Sequence, residues 1–425
     1  MILLVCGFTV LVTVFDLMSA ALYCAHYSPE FLDGLRLLRG ALALALAGWG
    51  GSRILRDWPM AALTGAWFAL IAVYFLTSGD YPSAALVAAS AQKLSLPGIL
   101  LLVGYGALRT DRDLRRFALL LAAIGLSSTL FGAWDINNTE FWSAGIEYGI
   151  YLHDIKGIEI GFDERWLLPY NFFGYLDARR AAGLVAAPLA QGMVVMIGGI
   201  LSLALVQRGS LYQTLFLALL CAFGIWESGT RGAMLAAAVS LPLYLLGDGA
   251  QGKHSFRNAV ILALLVVLTF NSLSYVYNYS VNLDDGSTIG HVEALRDNLR
   301  DLPQVMLLGK GLGSAGSIAA EEGMDIIGGG ESALFSVIFQ LGLPAGLIFL
   351  GFLGLGAWRA WGLSRSTAAS APLGLAGAVL TVGMATSLVA SEHLLAASSI
   401  TGFWIFLGGL AGRAHELTNQ TETPS

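Results

Sequence analysis

The sequence predicts an all-α integral membrane protein, and its composition, its apolar segments and its loop lengths support that class. Hydrophobic residues make up 56% of the 425 residues and charged residues only 12%, whereas soluble domains carry about 25% charged residues. Mean hydropathy is +0.70. Apolar segments recur along the whole chain, and no separate soluble domain can be delimited. Residues 1–425 are therefore predicted to form a single polytopic membrane domain.

The apolar segments are long enough to cross a bilayer as helices. A spanning helix needs about 20 mostly apolar residues, because backbone groups in lipid must be paired within the segment. The first segment carries Asp16 in its midst and no basic region before it, so a retained span is expected rather than a cleaved signal peptide. About 12 spans are predicted, near residues 1–25, 37–52, 58–77, 85–108, 115–134, 181–206, 211–228, 232–247, 257–274, 333–357, 368–390 and 394–411.

The orientation of the spans follows from the basic residues in short loops. The loop from Arg109 to Arg116 has four arginines in eight residues, and such loops stay in the cytoplasm. Alternating spans then put both termini inside and the two long connections, 135–179 and 275–330, outside. The outer face is strongly acidic, which argues against a nucleic-acid partner.

The two long connections are the expected location of function, since loops of this length usually bind or catalyse. The first is rich in aromatic residues, which suit either stacking on sugar faces or an interfacial belt among lipid headgroups. In the second, apolar residues from Val292 to Leu302 recur at helical spacing opposite charged residues. This pattern predicts a short amphipathic helix on the membrane surface, ending before Pro303.

Other motifs carry less information. The run from Gly311 to Gly316 spells the dinucleotide-binding fingerprint, but no strand precedes it and it lies in an outer loop. It is better explained as a series of turns whose backbone amides could face an anion. The three cysteines show neither metal nor disulfide spacing, and neither a metal site nor a cofactor is predicted.

Three charged residues stand at the ends of apolar spans. Arg180 and Arg231 each begin a span, and Glu331 opens another after the longest polar stretch. A charge at the edge of the hydrocarbon is costly and usually functional. Paired guanidiniums suit a diphosphate, so an enzyme acting on a lipid-linked anion is expected. Helical neighbours, Asp177 and Glu227, could instead neutralise the arginines, and a helix dipole favours a carboxylate in a first turn.

Four stretches of the chain resemble one protein family. They are Arg180-Ala-Ala-Gly183 with Pro188, Ser228-Gly-Thr-Arg231-Gly-Ala-Met-Leu235, Ser287-Thr-Ile-Gly-His291 leading into Leu308-Gly-Lys-Gly-Leu-Gly-Ser314, and Glu331-Ser332 followed after nine residues by Gly342 and Leu-Pro-Ala-Gly346. Together they resemble the motifs of the bacterial O-antigen ligase and O-antigen polymerase superfamily. Ligases of that family carry histidine where Glu331 stands, so the chain is similar to the repeat-unit polymerases.

The resemblance implies an inverting, metal-independent glycosyltransferase with a GT-C-like fold in the bacterial inner membrane. Its site would face the periplasm, with short helices in both long periplasmic loops. Glu331, Arg231 and Arg180 would be catalytic. Substrate-binding roles would fall to His291, Arg179, Ser332 and Lys310.

The implied partners are a glycan donor on a polyprenyl diphosphate, a glycan acceptor, membrane lipid and a chain-length regulator protein. Three alternatives stay open at this point. They are an O-antigen ligase that transfers glycan to lipid A core, a lipid-linked oligosaccharide transporter, and a structural assembly subunit.

Overall fold

The fold of the described residues is helical. The computed structural model describes residues 1–78, 83–158, 160, 167–174, 178–206, 209–250, 255–264, 286–321, 328, 332–389 and 391–422. Within these ranges there is one isolated β-bridge, between Phe173 and Arg179, and no strand. The all-α class predicted from composition is confirmed for this part of the chain.

The described residues form seventeen α-helices. In chain order they are α1 Ile2–Thr13, α2 Phe15–Cys24, α3 Pro29–Ile54, α4 Trp58–Thr77, α5 Ala84–Ala107, α6 Asp111–Asp135, α7 Tyr148–Lys156, α8 Pro188–Leu205, α9 Leu211–Ser228, α10 Arg231–Ala250, α11 Ser255–Leu264, α12 Gly286–Asp301, α13 Ser317–Glu321, α14 Ala333–Leu341, α15 Leu343–Ser364, α16 Ala371–Thr386 and α17 Ala397–Glu422. Short 3₁₀ turns and one π turn, Phe141–Gly145, lie between them.

Several helices are long and apolar enough to cross a membrane, as expected of a multi-pass membrane protein. Among the described residues six qualify, namely α4, α5, α6, α8, α9 and α15, and α1 with α2 would add a seventh as one bent span. The prediction of about 12 spans is therefore confirmed only in part. Predicted span 257–274 coincides with α11 only up to Leu264, and its remainder lies outside the described residues.

Three predicted spans differ from the helices that the structure describes. The first breaks at Val14, where α1 and α2 meet at 59°. The span predicted over 181–206 begins only at Pro188, which occupies the first turn of α8, where a missing N–H leaves no bond unmade. Pro188 therefore lies at the start of α8 and not in its interior. The span predicted over 333–357 breaks at Gly342, whose φ of +85° ends α14.

The described residues group into two compact units, and the first comprises residues 1–54, 99–234 and 396–425. Its centre is the packing of α6, α8 and α9 against one another. Glycines permit this packing, since a methyl group on Gly125 would lie 2.8 Å from the Cα of Gly198. Small residues let helix backbones approach closely in membranes, where van der Waals packing drives association.

The aromatic residues of the first long loop form a buried cluster in this unit. Trp142, Tyr148, Tyr151 and Phe172 are each 2% exposed or less, and neighbouring rings meet mostly edge to face. Neither sugar stacking nor an interfacial belt explains these four rings, because their surfaces are covered by protein. Tyr170, in contrast, is 59% exposed. Burial of these rings by the hydrophobic effect gives this loop a small hydrophobic core of its own beside the membrane helices.

A second interaction ties the same loop to α2. Lys156, the last residue of α7, pairs with Asp16 of α2 at 2.9 Å, and α7 packs against α2. The acidic residue noted in the middle of the first apolar segment therefore has an ionic partner. This pair and the aromatic cluster together hold the loop in place.

We expect Trp142→Ala to lower the free energy of unfolding by about 3–5 kcal/mol, because it leaves a cavity in the aromatic cluster. Denaturant unfolding of the purified protein in detergent, followed by circular dichroism, measures the change. Tyr170→Ala is the matched control and should change stability little, since that ring is exposed. Equal effects of the two substitutions would contradict a structural role for the cluster.

The second unit comprises residues 55–98 and 235–395, with α15 packed against α4, α14 and α16. The amphipathic helix predicted in the second long loop is confirmed as α12, which ends at Asp301. Its apolar residues Val292 and Leu299 are more than half exposed. That this helix lies on the membrane stays a prediction.

The glycine-rich run after α12 is used to cap α14. Lys310 N–H donates to Phe339 O at 2.7 Å, and Gly311 N–H donates to Gln340 O at 3.1 Å. Gly313 N–H donates to the Gln340 side-chain oxygen at 2.9 Å. The first two amides satisfy backbone carbonyls that the end of α14 leaves unpaired, and the third bonds a side chain, so these three amides do not face an anion. The glycines that resemble a dinucleotide fingerprint thus lie in a segment whose backbone packs against the end of α14.

Candidate functional site

Arg180 lies in an irregular segment, residues 178–187, that precedes α8. Backbone bonds hold this segment on both sides: Arg180 N–H donates to Phe172 O at 2.9 Å, and Ala181 N–H donates to Glu227 O at 2.9 Å. The first partner belongs to the aromatic cluster and the second to the last turn of α9. The folded first loop thus fixes the backbone from which Arg180 projects.

The side chain of Arg180 extends over the turn between α9 and α10. Its Nε donates to Ser228 O at 2.8 Å, and its Nη2 lies 3.5 Å from the Thr230 hydroxyl oxygen. Arg231 follows directly as the first residue of α10. The structure therefore brings the two predicted arginines to the same turn, although 51 positions separate them in the sequence.

The electrostatics of this turn favour an anion. Burial, with a further contribution from the positive charge of Arg231, lowers the pKa of Arg180 to about 10. Two like charges in a partly buried position destabilise each other's charged forms. A bound anion relieves that repulsion, and guanidiniums match phosphate oxygens with paired hydrogen bonds.

Arg179 has a different environment, although it is the neighbour of Arg180. Its Nη2 lies 3.5 Å from Oδ1 of Asp135, which is itself fully buried, and its guanidinium lies 4.7 Å from the ring centre of Phe172. Asp135 Oδ2 also accepts N–H bonds from Ala182 and Gly183 at 3.0 and 2.8 Å. In this geometry Arg179 and Asp135 brace the segment that carries Arg180.

Two glycines shape the turn beneath Arg180. Gly229 has a φ of +60°, and a methyl group there would lie 2.9 Å from Nε of Arg180. On α8, a methyl group on Gly192 would lie 2.8 Å from Cβ of Thr230. The hydroxyl of Thr230 donates to Pro188 O at 2.8 Å, which ties the turn to the start of α8.

We expect Gly229→Ala to reduce the glycosyl-transfer activity that the motifs predict about 10- to 100-fold, because the methyl group displaces the guanidinium of Arg180 and small misplacements are costly in an active site. Gly157→Ala is the matched control. Gly157 also ends a helix at a similar φ of +67°, but a methyl group there meets no atom within 4 Å. Both variants carry the same backbone strain, so activity assays on both separate strain from displacement. Equal activities of Gly229→Ala and Gly157→Ala would show that displacing the Arg180 guanidinium does not affect activity.

Of the other predicted site residues, Ser332, Lys310 and His291 belong to the second unit. Ser332 is 1% exposed and caps α14: its hydroxyl accepts from Phe335 N–H at 3.1 Å and donates to Leu388 O at 2.8 Å. The Lys310 side chain is exposed. His291 lies within α12, but its side chain is not among the described ones. Glu331 lies outside the described residues, so its convergence with the arginines stays a prediction.

Two ionic residues that were missed in the sequence meet in the second unit. Lys93 Nζ, on α5, lies 2.5 Å from Oε2 of Glu392. Lys93 stands inside predicted span 85–108, and a charge inside a span is a signal that could have identified it. Glu392 lies between two predicted spans, where a carboxylate carries no such signal. Only tertiary contact pairs them.

The described part of the chain has no group of three or more His, Cys, Asp or Glu side chains placed to hold a metal ion. Comparison with known proteins adds no assignment: no protein-family model matches the chain, and a search of curated proteins finds no match either.

Proposed function

We propose that this protein is an inverting, metal-independent glycosyltransferase that polymerises oligosaccharide repeat units carried on a polyprenyl diphosphate. The proposed location is the outer face of the bacterial inner membrane, in a GT-C-like arrangement of helices. The motif resemblance suggests this class. The observation that carries the proposal is the meeting of Arg180 and Arg231 at the turn between α9 and α10.

The arginine pair accounts for the choice of a diphosphate donor. Two guanidiniums supply positive charge and several N–H donors in one place. Oε2 of Glu227, four residues before Arg231, is buried and has no hydrogen-bond partner. A lipid-linked diphosphate would place its oxygens at the guanidiniums while its tail stays among the membrane helices. Charge builds on the diphosphate as the glycosidic bond breaks, and fixed cations stabilise that charge most strongly in the transition state.

The proposed reaction is a single displacement at the anomeric carbon of the donor. An acceptor hydroxyl oxygen forms the new C–O bond from the face opposite the diphosphate, and the old C–O bond breaks with its electron pair passing to the diphosphate. Glu331 accepts the hydroxyl proton as general base. Attack from the opposite face inverts the configuration of the anomeric carbon.

The experiment is a reconstitution of the purified protein in lipid vesicles with a synthetic diphosphate-linked repeat unit. A ladder of products that grows by whole repeat units supports the proposal. Transfer to added lipid A core without a ladder would identify a ligase instead. Movement of the substrate across the bilayer without new bonds would identify a transporter. A preparation that binds the substrate but does neither would also refute the proposal.

A further inference from the structure

Three cations surround one carboxylate in the first unit. Lys156, the last residue of α7, lies 2.9 Å from Oδ1 of Asp16 on α2. Arg36 and Arg39 of α3 attract the same carboxylate electrostatically. They stand three positions apart and therefore share one face of the helix. We call Arg36, Arg39 and Lys156 the basic cluster.

Arg39 is the cation of this cluster whose hydrogen-bonding capacity is left unused. Its guanidinium lies 4.1 Å from the centre of the Phe15 ring, which covers one side of it. Within the described ranges of the chain, no oxygen accepts a hydrogen bond from this guanidinium. A guanidinium carries five N–H donors, and a charge at the edge of an apolar segment is costly without a partner. The position of Arg39 therefore favours a bound anion.

The carboxylates beside the basic cluster do not balance its charge. Arg36 pairs with Asp33 at 3.0 Å, but the Asp33 side chain is 62% exposed, and exposed pairs contribute little. Asp154 stands two positions before Lys156, so the two side chains point to different sides of α7. It accepts a hydrogen bond from the Tyr23 hydroxyl instead. Three positive charges thus face two carboxylates, and one positive charge remains uncompensated.

A ligand can reach the basic cluster from the protein surface. The side chains of Arg36, Lys156 and Asp16 are 30%, 27% and 21% exposed, and Arg39 is also partly exposed. These side chains come from three helices, α2, α3 and α7, and their polar ends are partly open to the surroundings. Binding there requires no internal cavity.

The surface next to the cluster is apolar. Leu37 and Leu38 stand between Arg36 and Arg39 in α3 and are 75% and 62% exposed. In a membrane protein, large apolar side chains with this exposure contact acyl chains. The span predicted over residues 37–52 begins between the two arginines, so they lie at the edge of the hydrocarbon. Long basic side chains at this position extend towards the headgroups.

We propose that Arg36, Arg39 and Lys156 bind the phosphate group of an anionic membrane phospholipid, in the leaflet that the predicted orientation places outside. Guanidiniums bind phosphate oxygens with paired hydrogen bonds, and an ammonium adds a point charge. Basic pockets between membrane helices are known binding sites for lipid headgroups. The bound phosphate joins α2, α3 and α7. This inference does not depend on the proposed glycosyl transfer.

Neutralisation of Asp16 does not by itself account for the cluster. Lys156 already forms an ion pair with that carboxylate, whereas Arg39 makes no hydrogen bond to it within the described residues. Arg53 provides a contrast on the same helix. Its Nη1 donates to Gly106 O at 2.7 Å, so Arg53 has a protein acceptor. Arg53→Gln removes the same charge as Arg39→Gln and is its matched control.

The test measures lipid affinity by native mass spectrometry of the full-length protein, delipidated in a neutral maltoside detergent and titrated with phosphatidylglycerol. Arg39→Gln should weaken the binding of phosphatidylglycerol about 10- to 100-fold, the usual effect of losing hydrogen bonds to a charged group. Arg53→Gln should bind as the wild type does. Arg39→Lys keeps the charge and should retain more affinity than Arg39→Gln. Diacylglycerol with the same acyl chains lacks the phosphate and should bind the wild type weakly.

Further arms of the titration identify the source of the phosphate. Inorganic phosphate should displace the lipid only at far higher concentration, and displacement at equal concentration would refute the lipid assignment. The affinity for a diphosphate-linked donor analogue should be the same in Arg39→Gln and the wild type, and a loss there would show that the cluster binds substrate instead. Equal binding of phosphatidylglycerol and diacylglycerol would refute a phosphate site.

The substitutions themselves can also contradict the inference. Equal affinity of Arg39→Gln and the wild type for phosphatidylglycerol would refute it. If Arg39→Gln does not fold, Arg36→Gln takes its place, because that side chain is partly exposed and pairs only with an exposed carboxylate among the described residues. Arg36→Gln should weaken lipid binding by a smaller factor, and an unchanged affinity there would refute the inference.

Discussion

Glu331→Gln is expected to abolish polymerisation, with turnover falling by about 10²–10⁴-fold, the usual contribution of a positioned general base. Glutamine keeps the shape of the side chain but cannot accept the proton of the acceptor hydroxyl. The amount of folded protein in the membrane should stay normal, because the change is nearly isosteric. The measurement is single-turnover extension of a lipid-linked repeat unit in vesicles.

The control for this substitution is Glu293→Gln. Glu293 is an exposed carboxylate on α12, in the long loop that precedes Glu331, and its loss should leave turnover unchanged. Wild-type turnover in Glu331→Gln would remove the base assignment while leaving the arginine pair as a donor site. Loss of activity in both variants would point to a general effect of charge in this loop.

Arg180→Gln should lower turnover by about 10²–10³-fold, the range measured when one donor to a developing negative charge is removed. Glutamine can keep a bond to Ser228 O but carries no charge, so the leaving diphosphate loses one of its two cations. Arg231→Lys tests the same pair differently, since an ammonium keeps the charge and loses the two-pronged grip. We expect it to be damaging as well. Turnover at saturating donor and the affinity for a diphosphate-linked donor analogue are the two measurements.

Arg413→Gln is the control for the arginine pair. Arg413 is also partly buried in the first unit, where its Nε donates to Asp111 at 2.8 Å, but it belongs to the segment predicted to face the cytoplasm. Its loss should affect stability and spare turnover. If Arg180→Gln and Arg413→Gln prove equally active, the diphosphate must bind elsewhere, and the proposed function loses its main support.

Much of the general class could be read from the sequence. Composition and apolar length predict helices in a bilayer because unpaired backbone groups exclude other structures in hydrocarbon. The amphipathic pattern around Val292 and Leu299 predicted α12 correctly, since periodicity is a local property. Where predicted spans are interrupted, the interruption lies at a local backbone feature, as at Val14 and Gly342. Glycine at a positive φ ends a helix without interrupting the apolar run, so hydropathy alone does not reveal it.

The environment of each charged side chain required the tertiary structure. The order of apolar and charged residues already places Arg180 and Arg231 at the ends of apolar segments, where a charge is costly and usually functional. The fold brings both arginines to one turn and pairs the neighbouring Arg179 with Asp135. It also buries the aromatic residues of the first loop. It also decided that Lys93 meets Glu392. Hydrogen bonds and ion pairs between distant segments depend on which helices pack together, and that is a property of the whole chain, whereas hydrophobic length and periodicity are recorded in each segment.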